Sequence, residues 1–149
     1  MSPYLSAAHN LAWRKFLVAY VTVMEHIEQD LAAATLPPLS WYDVLFVLSE
    51  SPGQKRRLHE IAEAVLLSRS NTTRLVNRLE SAGLLTREQC SGDRRGAFAV
   101  ITDDGLSMLE RMWVVYEAGI VNYFAQHLDA SEAKQFAKIM NRMTSIRDS

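Results

Sequence analysis

Between positions 69 and 77 stand Arg69, Ser70, Asn71, Thr73, Arg74 and Asn77, all polar. At helical spacing they share one side of a repeat whose other side is Leu75, Val76 and Leu79. Their chemistry suits nucleic acid. A guanidinium donates to guanine O6 and N7 or to phosphate, a carboxamide pairs with adenine, and hydroxyls serve bases or phosphates. No Asp or Glu interrupts this side before Glu80. A merely solvated helix face usually mixes both charge signs. An anion-free face beside a basic loop points instead to double-stranded DNA as partner. Ser68 stands where an N-cap belongs, its hydroxyl able to take a free backbone N–H, and joins the set. The spacing predicts a helix from about Arg69 to Ser81, closed by Gly83 in left-handed conformation.

The neighbouring residues predict what positions that helix. Leu58, Ile61, Ala62 and Val65 give a short helix with one apolar stripe, and Leu66-Leu67 lead into a turn. After Gly83, residues 84–88 and 97–101 alternate as strands, and Ser91-Gly92 and Gly96 punctuate the turn between them. The tip carries Asp93-Arg94-Arg95. Asp93 can brace one arginine or the loop backbone, leaving another of Arg94 and Arg95 to enter a minor groove, where the negative potential is strong. As a solvated loop tip the triplet would mean little; directly after two helices and before a third, it reads as a wing. A new helix opens at Thr102, with Asp103 and Asp104 at its positive end. This order is a winged helix-turn-helix over residues 39–101, which lays its second helix in the major groove.

Long helices flank the unit. Leu11, Ala12, Phe16, Ala19, Val23, Ile27 and Leu31 mark one over about 5–34, stopped by Pro37-Pro38. Ser40 is expected to cap a helix over 41–49, with Asp43 completing a capping box, and Ser51-Pro52-Gly53 to close it. Lys55-Arg56-Arg57 reads as a charged loop that touches phosphate or nothing. Leu106, Leu109, Trp113, Tyr116, Ile120 and Phe124 extend the helix from Thr102 to about His127. A last helix carries Phe136, Ile139, Met140, Met143 and Ile146. A helix so amphipathic at a chain end needs a partner surface. The expected architecture is therefore mainly α with a small β-hairpin wing, one domain over 1–149. Residues 1–36 and 103–149 supply dimerisation helices, so the chain is a homodimer. A symmetric dimer sets two recognition helices about one DNA turn apart, over a near-palindromic operator.

Composition bounds the alternatives. The 149 residues are 48% hydrophobic, a globular balance. The net charge of −1 is unevenly spread: residues 1–54 carry −3, residues 55–96 carry +4 and residues 97–149 carry −2. Positive charge thus concentrates in the segment read as DNA-binding. No stretch approaches the roughly 18 apolar residues of a membrane span, and no secretion signal opens the chain, so no membrane partner is expected. One cysteine, Cys90, builds no disulfide framework and fits a cytoplasmic protein. His9, His26, His59 and His127 are scattered, without metal-ligand spacing, so neither metal nor cofactor is expected. No Gly-rich phosphate loop, Gly-x-Ser-x-Gly or Cys–His nucleophile pattern appears, so the chain does not read as an enzyme.

The run from Leu39 through Gly105 resembles the MarR family of bacterial transcription regulators. The likeness rests on Leu39-Ser40-Trp41-Tyr42-Asp43-Val44-Leu45, Leu58-His59-Glu60-Ile61-Ala62 and Thr73-Arg74-Leu75-Val76-Asn77-Arg78-Leu79-Glu80. It continues through Gly83-Leu84-Leu85, the Asp93-Arg94-Arg95 wing and Ile101-Thr102 with Gly105. Close matching covers a little under half the chain. Trp13, Asp43, Arg74 and Arg87 also resemble the Trp, Asp, Arg, Arg signature of the family's urate-responsive subgroup, although Tyr42 interrupts that subgroup's Trp-Asp-Val run. The resemblance implies a ligand-responsive repressor, released from DNA by a small-molecule effector: a planar anion such as urate, or a phenolic acid. Such a ligand would stack on Trp13 and bond Arg74, repelling Asp43 while Arg87 relays the change. Trp41, Tyr42 and Trp113 would line a crevice for a phenolic acid. Each residue has a plainer role beside this one: Trp13 in a core, Asp43 in a cap, Arg74 on phosphate, Arg87 on a strand surface. Two other readings stand: a redox-responsive regulator through oxidation of Cys90, and an adaptor that keeps the fold without DNA affinity. Against the adaptor stand Arg94-Arg95 and the polar face.

Overall fold

The computed structural model describes residues 4–67, 71–89 and 96–145. In order it forms α1 (Ala7–Ala33), α2 (Leu39–Glu50), β1 (Lys55–Arg57), α3 (Leu58–Ala64), α4 (Thr72–Ser81), β2 (Leu85–Gln89), β3 (Ala97–Ile101), α5 (Asp103–Tyr123) and α6 (Ala130–Thr144). Single 3₁₀ turns occupy Pro52–Gln54 and Ala125–His127. The chain divides into two compact units, Glu28–Val115 and Met1–Ile27 with Tyr116–Ser149. Among the described residues no helix is long and apolar enough to cross a membrane.

The unit Glu28–Val115 has a closed core. Val44, Leu45 and Leu48 of α2 meet Ile61 of α3, Leu75, Val76 and Leu79 of α4, and Leu85, Ala99 and Ile101 of the sheet. The spacing of α4 explains its seat, since Thr72, Leu75, Val76 and Leu79 recur at three and four residues and are all buried. Its end is a Schellman motif: Gly83, at φ 78°, donates its N–H to Glu80 O, and Leu84 donates to Leu79 O. Thr102 ties this end to the next helix. It donates its N–H to Leu84 O and its Oγ1–H to Gly83 O, and the same Oγ1 accepts from Gly105 N–H.

Four expectations need correction. The sheet has three antiparallel strands, in the order β1-β3-β2, and Lys55-Arg56-Arg57 is its third strand and not a loop. Lys55 stands opposite Val100 and Arg57 opposite Phe98, so backbone pairing makes this strand, which three charged side chains do not advertise. Next, α4 begins at Thr72, because Asn71 sits at φ 65°, outside helical geometry. Third, Ser40 lies inside α2 and caps nothing: Pro38 is the N-cap residue, and Glu28 Oε1 accepts from Leu39 N–H at 2.7 Å in place of a local cap. Asp43 is therefore free of the expected capping box. Fourth, α5 stops at Tyr123; Phe124 leaves helical angles and the stretch to His127 is a 3₁₀ turn. The capping box exists elsewhere, at Asp129 and Glu132, where α6 begins.

The other unit is built differently. Within it α1 is exposed over 7–9 and 11–22, including Leu11, Phe16 and Val18, and α6 buries no residue. Specific contacts are seen within it. A Cβ on Gly119 would meet Ile27 Cγ1 at 2.8 Å, so the glycine admits that side chain. His26 and Tyr123 lie 4.9 Å apart, and Phe124 meets Phe136 edge-on at 5.7 Å.

Candidate nucleic-acid interface

The polar side of α4 is presented as its sequence required. With Thr72, Leu75, Val76 and Leu79 buried, Thr73, Arg74, Asn77, Arg78, Glu80 and Ser81 are exposed. Arg78 is a further exposed cation on α4, in its last turn. It was absent from the expected set, although its place four residues after Arg74 signals it. Asn71, also exposed, precedes the helix. Ser68, Arg69, Ser70, Arg94, Arg95 and the redox candidate Cys90 lie outside the described residues.

Two polar ties stand out, one after α3 and one on α4. The first comes from Asp43, which is 7% exposed. Its Oδ1 accepts from Leu66 N–H at 3.2 Å and its Oδ2 from Leu67 N–H at 2.7 Å. One carboxylate thus occupies the backbone donors of Leu66 and Leu67, just after α3, and such charge-assisted bonds are strong ones. It leaves Leu66 and Leu67 with their side chains in solvent. The second tie comes from Arg87 on β2. Its Nε donates to Glu80 Oε1 at 3.2 Å and its Nη2 donates to Asn77 Oδ1. The one anion on this side of α4 is thereby paired, and Asn77 is fastened to the sheet.

Arg87 also lines a cleft of about 270 Å³ with Leu58, His59, Ala62, Thr72, Thr73 and Val76. Of the four expected ligand residues only Arg87 is among these. Trp13 belongs to the other unit, where it lies 5.9 Å from Phe16. Tyr42 stacks between Phe46 at 5.9 Å and Trp113 at 6.2 Å, while Trp41 packs on the core. Basic charge continues onto the sheet, where Lys55 and Arg57 each lie 5.1 Å from the centre of the Phe98 ring. Glu88 pairs with Lys55 at 3.2 Å. Among the described residues no group of three or more His, Cys, Asp or Glu is placed to hold a metal.

This helix, turn, helix and three-stranded wing has a counterpart in sequence. The chain is 30% identical over 102 residues, 68% of each protein, to the HTH-type transcriptional regulator MhqR of Bacillus subtilis. A family model described as MarR family matches residues 35–96, from before α2 into the wing. The chain belongs to the MarR family. Two MarR family regulators of Streptomyces coelicolor share the whole architecture. AbsC is 29% identical, with a TM-score of 0.87 over 99% of this chain and all of that one. Sco3205, solved in complex with DNA, is also 29% identical, with a TM-score of 0.87 over 97% of this chain and 91% of its own. MarR membership makes the chain a transcription regulator and not an enzyme.

Proposed function

We propose that this regulator is a homodimer that binds a near-palindromic operator through α4 and the wing, represses transcription in the cytoplasm, and lets go when a small planar anion binds. The observation that carries the DNA reading is the exposed, cation-bearing side of α4, with Arg74 and Arg78 opposite a fully buried side. The complex of Sco3205 with DNA supports it, as does the +4 charge of residues 55–96. The exposed apolar residues of α1, with Phe136 and Met143 of α6, support the dimer, because so much apolar surface is unusual on a monomer.

The effector reading keeps Trp13, Asp43, Arg74 and Arg87, and two observations support it. Asp43 holds the Leu66 and Leu67 backbone after α3, and Arg87 holds Asn77 and Glu80. An anion bound near either group would repel the first or recruit the second, loosening what steadies the DNA-reading helix.

Fluorescence anisotropy on a labelled duplex from upstream of the protein's own gene tests this. Specific binding that weakens as salt rises, with a slope reflecting several phosphate contacts, is expected. Urate or a phenolic acid should weaken it further. Equal affinity for a scrambled duplex would sink the operator reading. Specific binding indifferent to both anions would sink the effector alone.

A further inference from the structure

Asn77 is the carboxamide on the exposed side of α4, and a carboxamide has two ends. The oxygen accepts and the NH₂ donates, and the torsion that exchanges them is soft and roughly two-fold. A free Asn can therefore offer a groove either end. Asn77 is not free. Nη2 of Arg87 donates to its Oδ1, and a guanidinium has only donors, so the oxygen must face the strand. Arg87 is itself held, because its Nε donates to Glu80 Oε1 at 3.2 Å. Glu80 stands three residues after Asn77, on the same flank of the helix. The sheet supplies the third constraint. Arg87 pairs with Ala99 in the β2–β3 ladder, and Ala99 is fully buried, so Arg87 leaves its strand on the side that packs against the helices.

We propose that Arg87 is a positioning residue for sequence readout. By holding Oδ1 it turns the Nδ2 hydrogens of Asn77 away from the strand, so that Asn77 reads a base edge rich in acceptors. Guanine, with N7 and O6, fits that donor; adenine, which needs an acceptor and a donor side by side, fits it poorly. The inference rests on the operator reading above, and it assigns a base where that reading assigned only a surface.

Selection from randomised duplexes, run on the full chain, tests it with wild type, Asn77→Ala, Arg87→Met and Arg87→Lys. Thermal melts first confirm that each variant folds. Asn77→Ala should flatten preference at one symmetric pair of positions, and wild type should select guanine there. Arg87→Met should lose about tenfold of the discrimination at those positions while the rest of the profile stands. Arg87→Lys, which still donates, should retain it. Adenine selected by wild type at those positions would overturn the proposal. So would an Arg87→Met profile weakened equally at every position, the mark of a purely structural arginine, or an Asn77→Ala profile that flattens nowhere. A wild type that enriches no sequence overturns the operator reading, and this inference with it.

Discussion

The two units treat the same kind of sequence in opposite ways. In Glu28–Val115 the apolar sides of α2, α3 and α4 close on one another, and Leu45, Leu48, Ile61 and Leu79 lose all contact with solvent. In Met1–Ile27 with Tyr116–Ser149 the apolar side of α1 stays open, with Leu11 58% exposed and Val18 59% exposed. Helical periodicity is as clear in one as in the other. Periodicity says that a face must be covered; it does not say by what. The unit that carries α4 finds its cover within the chain, whereas the other leaves its apolar side chains exposed.

Substitutions can break or sharpen that contrast. The largest loss is expected from Leu45→Ala in the closed core, about 2–5 kcal/mol by urea unfolding, because a fully buried leucine leaves a cavity. Gly105→Ala should follow at about 3 kcal/mol in the same assay, since a Cβ there would stand 2.2 Å from Leu84 O, and backbone yields less than a side chain. Asp43→Ala strips two backbone donors of their acceptor and should cost about 2 kcal/mol. Its loss of operator affinity should exceed what the melting shift explains; affinity kept intact would show that the turn needs no tie. Phe16→Ser, in the open unit, should move the unfolding of dilute protein by less than about 0.5 kcal/mol. Sedimentation equilibrium should show its dimer dissociating about tenfold more readily. An unchanged dissociation constant beside a lower melt would make Phe16 core of its own chain, and the contrast would disappear.

What could be read from the sequence follows the same division. Side-chain periodicity exposed α4, its buried residues, β3 and the Gly83 stop, because those signals live in consecutive residues. Backbone pairing is silent in sequence, so Lys55–Arg57 reads as a loop until β3 stands beside it. Capping by a distant residue is equally silent. Glu28 serves Leu39 from eleven positions away, and Asp43 serves Leu66 and Leu67 from more than twenty. The polar types on the exposed side of α4 were legible at Thr73, Arg74 and Asn77, but the bond that orients Asn77 was not. It spans ten residues and joins a helix to a strand.

Through its hydrogen bonds to Gly83, Leu84, Gly105 and Leu106, Thr102 fastens the end of α4, the base of the wing and the first turn of α5 to one another. Gly105, pressed against Leu84 O, leaves no space for slack between them. In mechanical terms this is a hinge pin without play. A rotation of the first turn of α5 would therefore be felt at the last turn of α4, which carries Arg78.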